Sequence, residues 1–124
     1  MRRRLLVADA NRSLTGLYDA YFSKVGYQVD TVTDGVTCVN RLRRTFPDLL
    51  LLDQGLPWGG GDGVLACLRE DHALSKLPVV VIADVLPIHA LSRLLVPPVI
   101  GCFQKRSPVH TIRYCIDSAL ASRS

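Results

Sequence analysis

Five strand-like segments alternate with segments of helical periodicity along the chain, and this alternation limits the fold more than any other feature. Short apolar runs bounded by turn residues are typical of buried strands, whereas apolar residues spaced three and four apart predict amphipathic helices. The predicted strands are residues 5–8, 27–32, 48–52, 79–83 and 100–104. Repeated βα units predict a parallel sheet with helices on both faces, because right-handed crossovers place them there.

The predicted helices have recognisable ends. Glycine is common just beyond a helix, small polar residues cap the amino end, and proline suits the first turn. The expected signals are Gly26 after the first helix, Asp34 and Asp62 as N-caps of the second and third, residues from about 87 to 95 as the fourth helix, and Ser107–Pro108 as the start of the fifth.

The alternating pattern of residues 27–32 indicates a half-exposed strand at the edge of the sheet. With this strand second in sequence, the economical arrangement is a flavodoxin-like, doubly wound (βα)5 fold with strand order 2-1-3-4-5. The 124 residues fit one domain, so we expect residues 1–124 to form a single unit. The crevice of such a sheet lies between the first and third strands.

Three charged residues stand at the carboxyl ends of predicted strands: Asp9 after the first, Asp53 after the third and Lys105 after the fifth. Open α/β sheets build their sites at this edge. Two carboxylates and an ammonium suit the transfer of a phosphoryl group to an aspartate. Asp53 would attack phosphorus, Mg²⁺ on hard oxygen ligands would offset the repulsion between anions, and Lys105 would bind a phosphoryl oxygen.

Two of these residues have simpler interpretations. Asp9 precedes a helix that it could cap, and Lys105 alone could be a solvated surface lysine. Asp53 is different, because residues 54–57 form a loop before any helix, so capping does not readily explain it.

The motifs resemble, in order and over nearly the whole chain, the receiver domain of two-component response regulators. They are Leu6-Val7-Ala8-Asp9, Leu50-Leu51-Leu52-Asp53 followed by Leu56-Pro57 and Asp62-Gly63, Leu77-Pro78-Val79-Val80-Val81-Ile82, and Lys105. The resemblance implies that Asp53 is the phosphoacceptor, that Lys105 contacts the phosphoryl group, and that Asp9, Asp53 and the carbonyl of Gly55 bind Mg²⁺. It implies a CheY-like signalling module rather than an enzyme, with a histidine kinase or phosphotransfer protein and an unidentified downstream protein as partners.

Several positions depart from the family pattern. Ala10 replaces the usual second acid, which predicts weaker Mg²⁺ binding, and Ala83 replaces the hydroxyl residue that contacts the phosphoryl group. Cys102 stands where an aromatic residue is common, and Arg106 replaces a proline that constrains Lys105. These changes favour an alternative, a phosphorylation-independent pseudo-receiver that acts as a protein-interaction module. An enzyme or flavin-binding protein on the same architecture is a third hypothesis.

The loop at residues 58–61, Trp58-Gly59-Gly60-Gly61, is about two residues longer than is usual in the family. Its tryptophan could cover the crevice or contact a partner, or it could pack on the surface of the third helix.

Composition narrows the function classes. The net charge of +4 is mildly basic, and the arginines at 2–4 and 41–44 lack interleaved aromatics, which favours solvated surfaces over direct nucleic-acid binding. The apolar stretches are too short for a membrane helix, and no apolar signal core is visible, so we expect a cytoplasmic protein without membrane contact. The four cysteines lack zinc or redox spacing and are expected to be reduced core thiols. Oligomeric state is left open.

Overall fold

The computed structural model of the chain describes residues 2–86 and 88–122. Five strands alternate with five helices, and a short 3₁₀ turn at Ile88–Ala90 precedes the fourth helix. None of the described helices is both long and apolar enough to cross a membrane. The elements are β1 (Arg4–Ala8), α1 (Arg12–Lys24), β2 (Gln28–Val32), α2 (Gly35–Thr45), β3 (Leu49–Asp53), α3 (Gly60–Glu70), β4 (Val79–Ala83), α4 (Leu91–Leu94), β5 (Val99–Gln104) and α5 (Val109–Ala121).

The strands form one parallel sheet in the order β2-β1-β3-β4-β5, which confirms the predicted topology. β2 is an edge strand and has one fully buried residue, Val32, in agreement with its alternating sequence. In contrast, every residue of β3 and of β4 is buried. The chain runs from β1 to β2 on one side of the sheet and then crosses back to β3 on the other side of β1. β1 and β3 therefore flank the crevice at the carboxyl edge.

The core has two layers, because successive side chains on a strand point to opposite faces. On one face, Leu6 and Leu50 pack against the apolar sides of α2, α3 and α4. On the other face, Val7, Leu51 and Phe103 belong to the layer that packs against α1 and α5. This alternation decides which helices surround each residue at the strand ends.

Several helix boundaries differ from the sequence predictions. Asp34 caps α2 as expected, with its side chain accepting from the Thr37 amide. Asp62 does not cap α3; it lies in the first turn, where it accepts a hydrogen bond of 2.8 Å from Gln54 Nε2. The helix begins at Gly60, three residues earlier than an N-cap at Asp62 would allow, and it follows Gly59 in a left-handed conformation.

The last two helices also differ. α4 is a single turn, Leu91–Leu94, shorter than the predicted segment of about 87 to 95, of which residue 87 lies outside the described residues. α5 begins at Val109, with Pro108 at the N-cap in an extended conformation and without a side-chain cap. Ser107 is therefore not the cap. All four cysteines are free, and Cys38 is the fully buried one.

Candidate functional site

Asp9, Asp53 and Lys105 converge at the carboxyl edge of the sheet. Each lies two residues beyond a residue of the α1/α5 layer, namely Val7, Leu51 and Phe103 respectively, and so projects on the same face. The convergence follows from strand alternation together with the sheet order, since β3 lies beside β1 and leads through β4 to β5.

The Lys105 ammonium bridges the two carboxylates. Its Nζ lies 3.0 Å from Asp9 Oδ2 and 3.1 Å from Asp53 Oδ2. Both aspartates are buried, with 1% of Asp9 and 5% of Asp53 exposed, so the pairs lie largely out of water. The surface-lysine interpretation is therefore wrong: Lys105 is the counter-ion of two buried acids.

Asp9 is held by its own turn. Its Oδ1 accepts a hydrogen bond of 2.9 Å from the amide of Asn11, and Asn11 in turn caps α1 by accepting from the Leu14 amide. The helix-capping role considered for Asp9 thus belongs to Asn11. Asp9 Oδ2 is ion-paired with Lys105 and has no further hydrogen-bond partner among the described residues.

Burial and charge shift the proton affinities of this site. Burial raises the pKa of Asp9, and the negative charge of Asp53 raises it further, against the opposing effects of the Asn11 amide and Lys105. Burial alone would lower the pKa of Lys105, but the two carboxylates outweigh it and raise that pKa. Lys105 therefore stays charged, and the site carries two acids against one base.

The loop after Asp53 wraps closely around the carboxylate. The Gly55 amide donates to Asp53 Oδ1 at 3.0 Å, and the Gln54 amide donates to the Ile82 carbonyl at 2.8 Å. A Cβ atom on Gly61 would lie 2.8 Å from Gln54 Cα, so only glycine permits this approach of α3 to the loop. The amide of Gly55 thus faces Asp53, and the metal-ligand role of its carbonyl stays a prediction.

The end of β4 holds Lys105 in place through the backbone. The Ala83 carbonyl accepts a hydrogen bond of 2.9 Å from the Lys105 amide. The constraint that a following proline would supply is thus replaced by a sheet-edge hydrogen bond and two ion pairs. The Ala83 side chain is a buried methyl group and offers no hydrogen bond to a ligand.

Tyr18 on α1 is a polar residue buried in the layer on the same face of the sheet as this site. Its side chain is buried, and its hydroxyl has no hydrogen-bond partner among the described residues. Burial raises its pKa to about 12, and the charge of Asp9 adds to the shift. Helical spacing alone gives no signal for this, because a tyrosine at an inward position is usually part of the apolar core.

Trp58 lies on the surface beside α3 rather than over the crevice. It is 77% exposed and lines a groove of about 350 Å³ between α2 and α3, together with Val36 and Gly63. Its backbone is left-handed, with φ of 57°. A Cβ atom on Gly35 would lie 2.2 Å from the Trp58 carbonyl oxygen, so the loop and α2 are in close contact.

Comparison with known proteins identifies the family. Residues 5–116 match the sequence model of the response regulator receiver domain. The chain belongs to this family. It is 25% identical to protein Rrf1 of Nitratidesulfovibrio vulgaris over 98% of this chain and 86% of that protein, and 36% identical to the response regulator PleD of Caulobacter vibrioides over 66% of this chain and 18% of PleD. The chain thus spans less than a fifth of PleD.

Solved structures agree on the fold. The Vibrio cholerae chemotaxis protein CheY4 superposes with a TM-score of 0.84 at 17% identity, covering 95% of this chain and 96% of that one. The CheY-like fold predicted from the sequence is therefore confirmed, and the chain is a response regulator receiver domain of two-component signalling. Receiver domains act as signalling modules rather than as typical enzymes.

The donor atoms of the receiver site fit a magnesium ion in kind. Mg²⁺ prefers hard oxygen ligands and is commonly held by one or two carboxylates plus water and phosphate oxygens. Asp9 and Asp53 supply two buried carboxylates, and Asp9 Oδ2 has no hydrogen-bond partner in the described part of the chain. Within residues 2–86 and 88–122, however, no group of three or more acidic, histidine or cysteine side chains forms a metal site.

Proposed function

We propose that residues 1–124 form a single receiver domain that accepts a phosphoryl group on Asp53 from a histidine kinase or phosphotransfer protein. The observation that carries this proposal is the buried pair of carboxylates bridged by Lys105 at 3.0 and 3.1 Å. Burying two acids and a lysine together costs desolvation free energy that a purely apolar core would avoid. A site that transfers an anionic group needs such charges.

The residues divide the work of the transfer. A carboxylate oxygen of Asp53 forms a bond to phosphorus as the bond to the donor histidine nitrogen breaks, and the bonding electron pair leaves with the imidazole. The Lys105 ammonium, which pairs with the two carboxylates, would bind a phosphoryl oxygen during the transfer. Asp9, Asp53 and the Gly55 carbonyl would hold Mg²⁺, which supplies positive charge between the two anions when bound.

Phosphorylation by a small donor tests the proposal. Incubation with Mg²⁺ and acetyl phosphate should increase the protein mass by one phosphoryl group, and alkaline pH should remove it, as expected for an acyl phosphate. The matched variants are Asp53→Asn, which should not gain mass, and Asp84→Asn, at the exposed residue that follows β4, which should. An unmodified wild-type protein, or a gain that persists in Asp53→Asn, would refute phosphorylation at Asp53.

The second candidate function is a pseudo-receiver that binds its partner without phosphorylation. Ala83 favours it, because its buried methyl group cannot bond to a phosphoryl oxygen, and the exposed Ala10 supplies no second acid. A calorimetric Mg²⁺ titration distinguishes the two functions. Saturable binding that Asp53→Asn abolishes supports the phosphoacceptor, and the absence of binding supports the pseudo-receiver.

A further inference from the structure

Three buried side-chain oxygens have no hydrogen-bond partner in the described residues, namely Gln54 Oε1, Asp9 Oδ2 and the hydroxyl oxygen of Tyr18. Asp9 Oδ2 is ion-paired with Lys105 at 3.0 Å. As whole residues Asp9 and Tyr18 are 1% and 3% exposed, so bulk water does not reach these two atoms. Native proteins rarely retain a buried polar group such as the Tyr18 hydroxyl without an ordered partner, because its desolvation is costly.

The fold places these two atoms in the same region. Tyr18 packs in the α1/α5 layer, and Asp9, Asp53 and Lys105 project on that same face of the sheet. Side chains on a helix lean toward its amino end, and α1 begins at Arg12, next to the turn that holds Asp9. The Tyr18 side chain is therefore expected to lean toward the amino end of α1, which is the end that adjoins the turn of Asp9.

The charges that act on Tyr18 support this placement. Burial is the main cause of the raised pKa of Tyr18, and the charges of Asp9, Lys105 and Asp53 make smaller contributions to it. The hydroxyl stays protonated at neutral pH and can donate one hydrogen bond while it accepts another. Thr15, one turn nearer the edge, is also buried, but its hydroxyl already donates to the Arg12 carbonyl at 3.1 Å.

We propose that Tyr18 is a positioning residue of the receiver site, and that a buried water molecule joins its hydroxyl to Asp9 Oδ2. A buried water molecule needs two to four polar partners, and the Tyr18 hydroxyl, Asp9 Oδ2 and the Lys105 ammonium would supply them. The water would fix the Asp9 carboxylate in the orientation set by the Asn11 amide on its other oxygen. The consequence of this water for Mg²⁺ affinity rests on the function proposed above. Tyr18 would then help to orient Asp9, the acid that remains where Ala10 replaces the second one.

Removal of the hydroxyl with retention of the ring tests this role. The variant is Tyr18→Phe, and the matched control is Tyr27→Phe, which removes a buried hydroxyl from the same apolar layer where the partner is Asp117. The Asn11 amide reports on Asp9 directly, since it donates to Asp9 Oδ1 at 2.9 Å. Without metal, Tyr18→Phe should shift the Asn11 amide resonance and raise its hydrogen-exchange rate about fivefold, whereas Tyr27→Phe should leave both unchanged.

The outcomes separate this inference from the proposed function. An unchanged Asn11 amide in Tyr18→Phe, or an equal change in Tyr27→Phe, would overturn the inference. A Tyr18→Phe protein more stable than wild type would also overturn it, because removing a truly unpaired hydroxyl relieves a cost. In a second arm, Tyr18→Phe should weaken Mg²⁺ binding by calorimetry about tenfold. Absence of Mg²⁺ binding in wild type would refute the metal part of the proposed function, while the amide comparison would still decide the role of Tyr18.

Discussion

Replacement of Lys105 by methionine should destabilise the fold through the two acids that it leaves behind. Methionine keeps an unbranched apolar chain of similar length, so the change removes mainly the ammonium group. In the native protein this group lies 3.0 Å from Asp9 Oδ2 and 3.1 Å from Asp53 Oδ2. Without it, two buried carboxylates face each other with no cation within ion-pair distance in the described residues.

The expected loss follows from the burial of the partners. Breaking a buried ion pair costs about 3–5 kcal/mol, and partial solvation of the Lys105 side chain, which is 16% exposed, lowers our estimate to about 2–3 kcal/mol at pH 7. The variant should raise the pKa of Asp9 beyond its already elevated native value. A folded-state pKa above the unfolded value favours the protonated form, so the penalty is small below the unfolded pKa of an aspartate and grows as pH rises above it.

Urea unfolding at pH 4 and pH 7 measures this effect. With a denaturant slope of about 1.5 kcal/mol/M, the midpoint at pH 7 should fall by roughly 1.5 M, and by less than half as much at pH 4. Lys76→Met, at an exposed lysine outside the site, is the matched control and should change the midpoint little at either pH. Equal losses in the two variants at pH 7, or a Lys105→Met loss that is the same at pH 4, would refute the reasoning.

Three further predictions concern the loop, the buried hydroxyl and the missing acid. Gly35→Ala should lower the free energy of unfolding by about 2 kcal/mol, because its Cβ would meet the Trp58 carbonyl oxygen at 2.2 Å. In the same urea titration Gly16→Ala on α1, with open space around it, should raise the free energy of unfolding by up to about 1 kcal/mol. A loss of stability in both variants would contradict the steric argument. Burial raises the pKa of Tyr18 from 10.0 to about 12, so its contribution to stability is complete below pH 10 and is lost as pH rises to 12. Over that interval the free energy of unfolding of wild type should fall by about 2 kcal/mol more than that of Tyr18→Phe. Parallel curves of unfolding free energy against pH would exclude this. Ala10→Asp should tighten Mg²⁺ binding at least tenfold by calorimetry, since added ligand charge raises affinity; an unchanged affinity would show that position 10 does not face the metal.

The sequence by itself determined the topology and the members of the acid site. Alternation of strand-like and helical segments predicted the doubly wound sheet and its order, since periodicity reports which face of each element is buried. The same strand order is sufficient to place Asp9, Asp53 and Lys105 at one edge of the sheet. These features follow from local pattern and from the handedness of crossovers, which need no knowledge of packing.

The tertiary structure decided what each of these residues contacts. Asn11 rather than Asp9 caps α1, and Lys105 bridges two acids rather than facing solvent. The lack of a hydrogen-bond partner for the buried Tyr18 hydroxyl, within the described residues, is likewise visible only in three dimensions. Hydrogen bonds and ion pairs depend on distances of a few tenths of an ångström between residues far apart in the chain, and these distances are set by how the helices pack on the sheet rather than by the periodicity of any one segment.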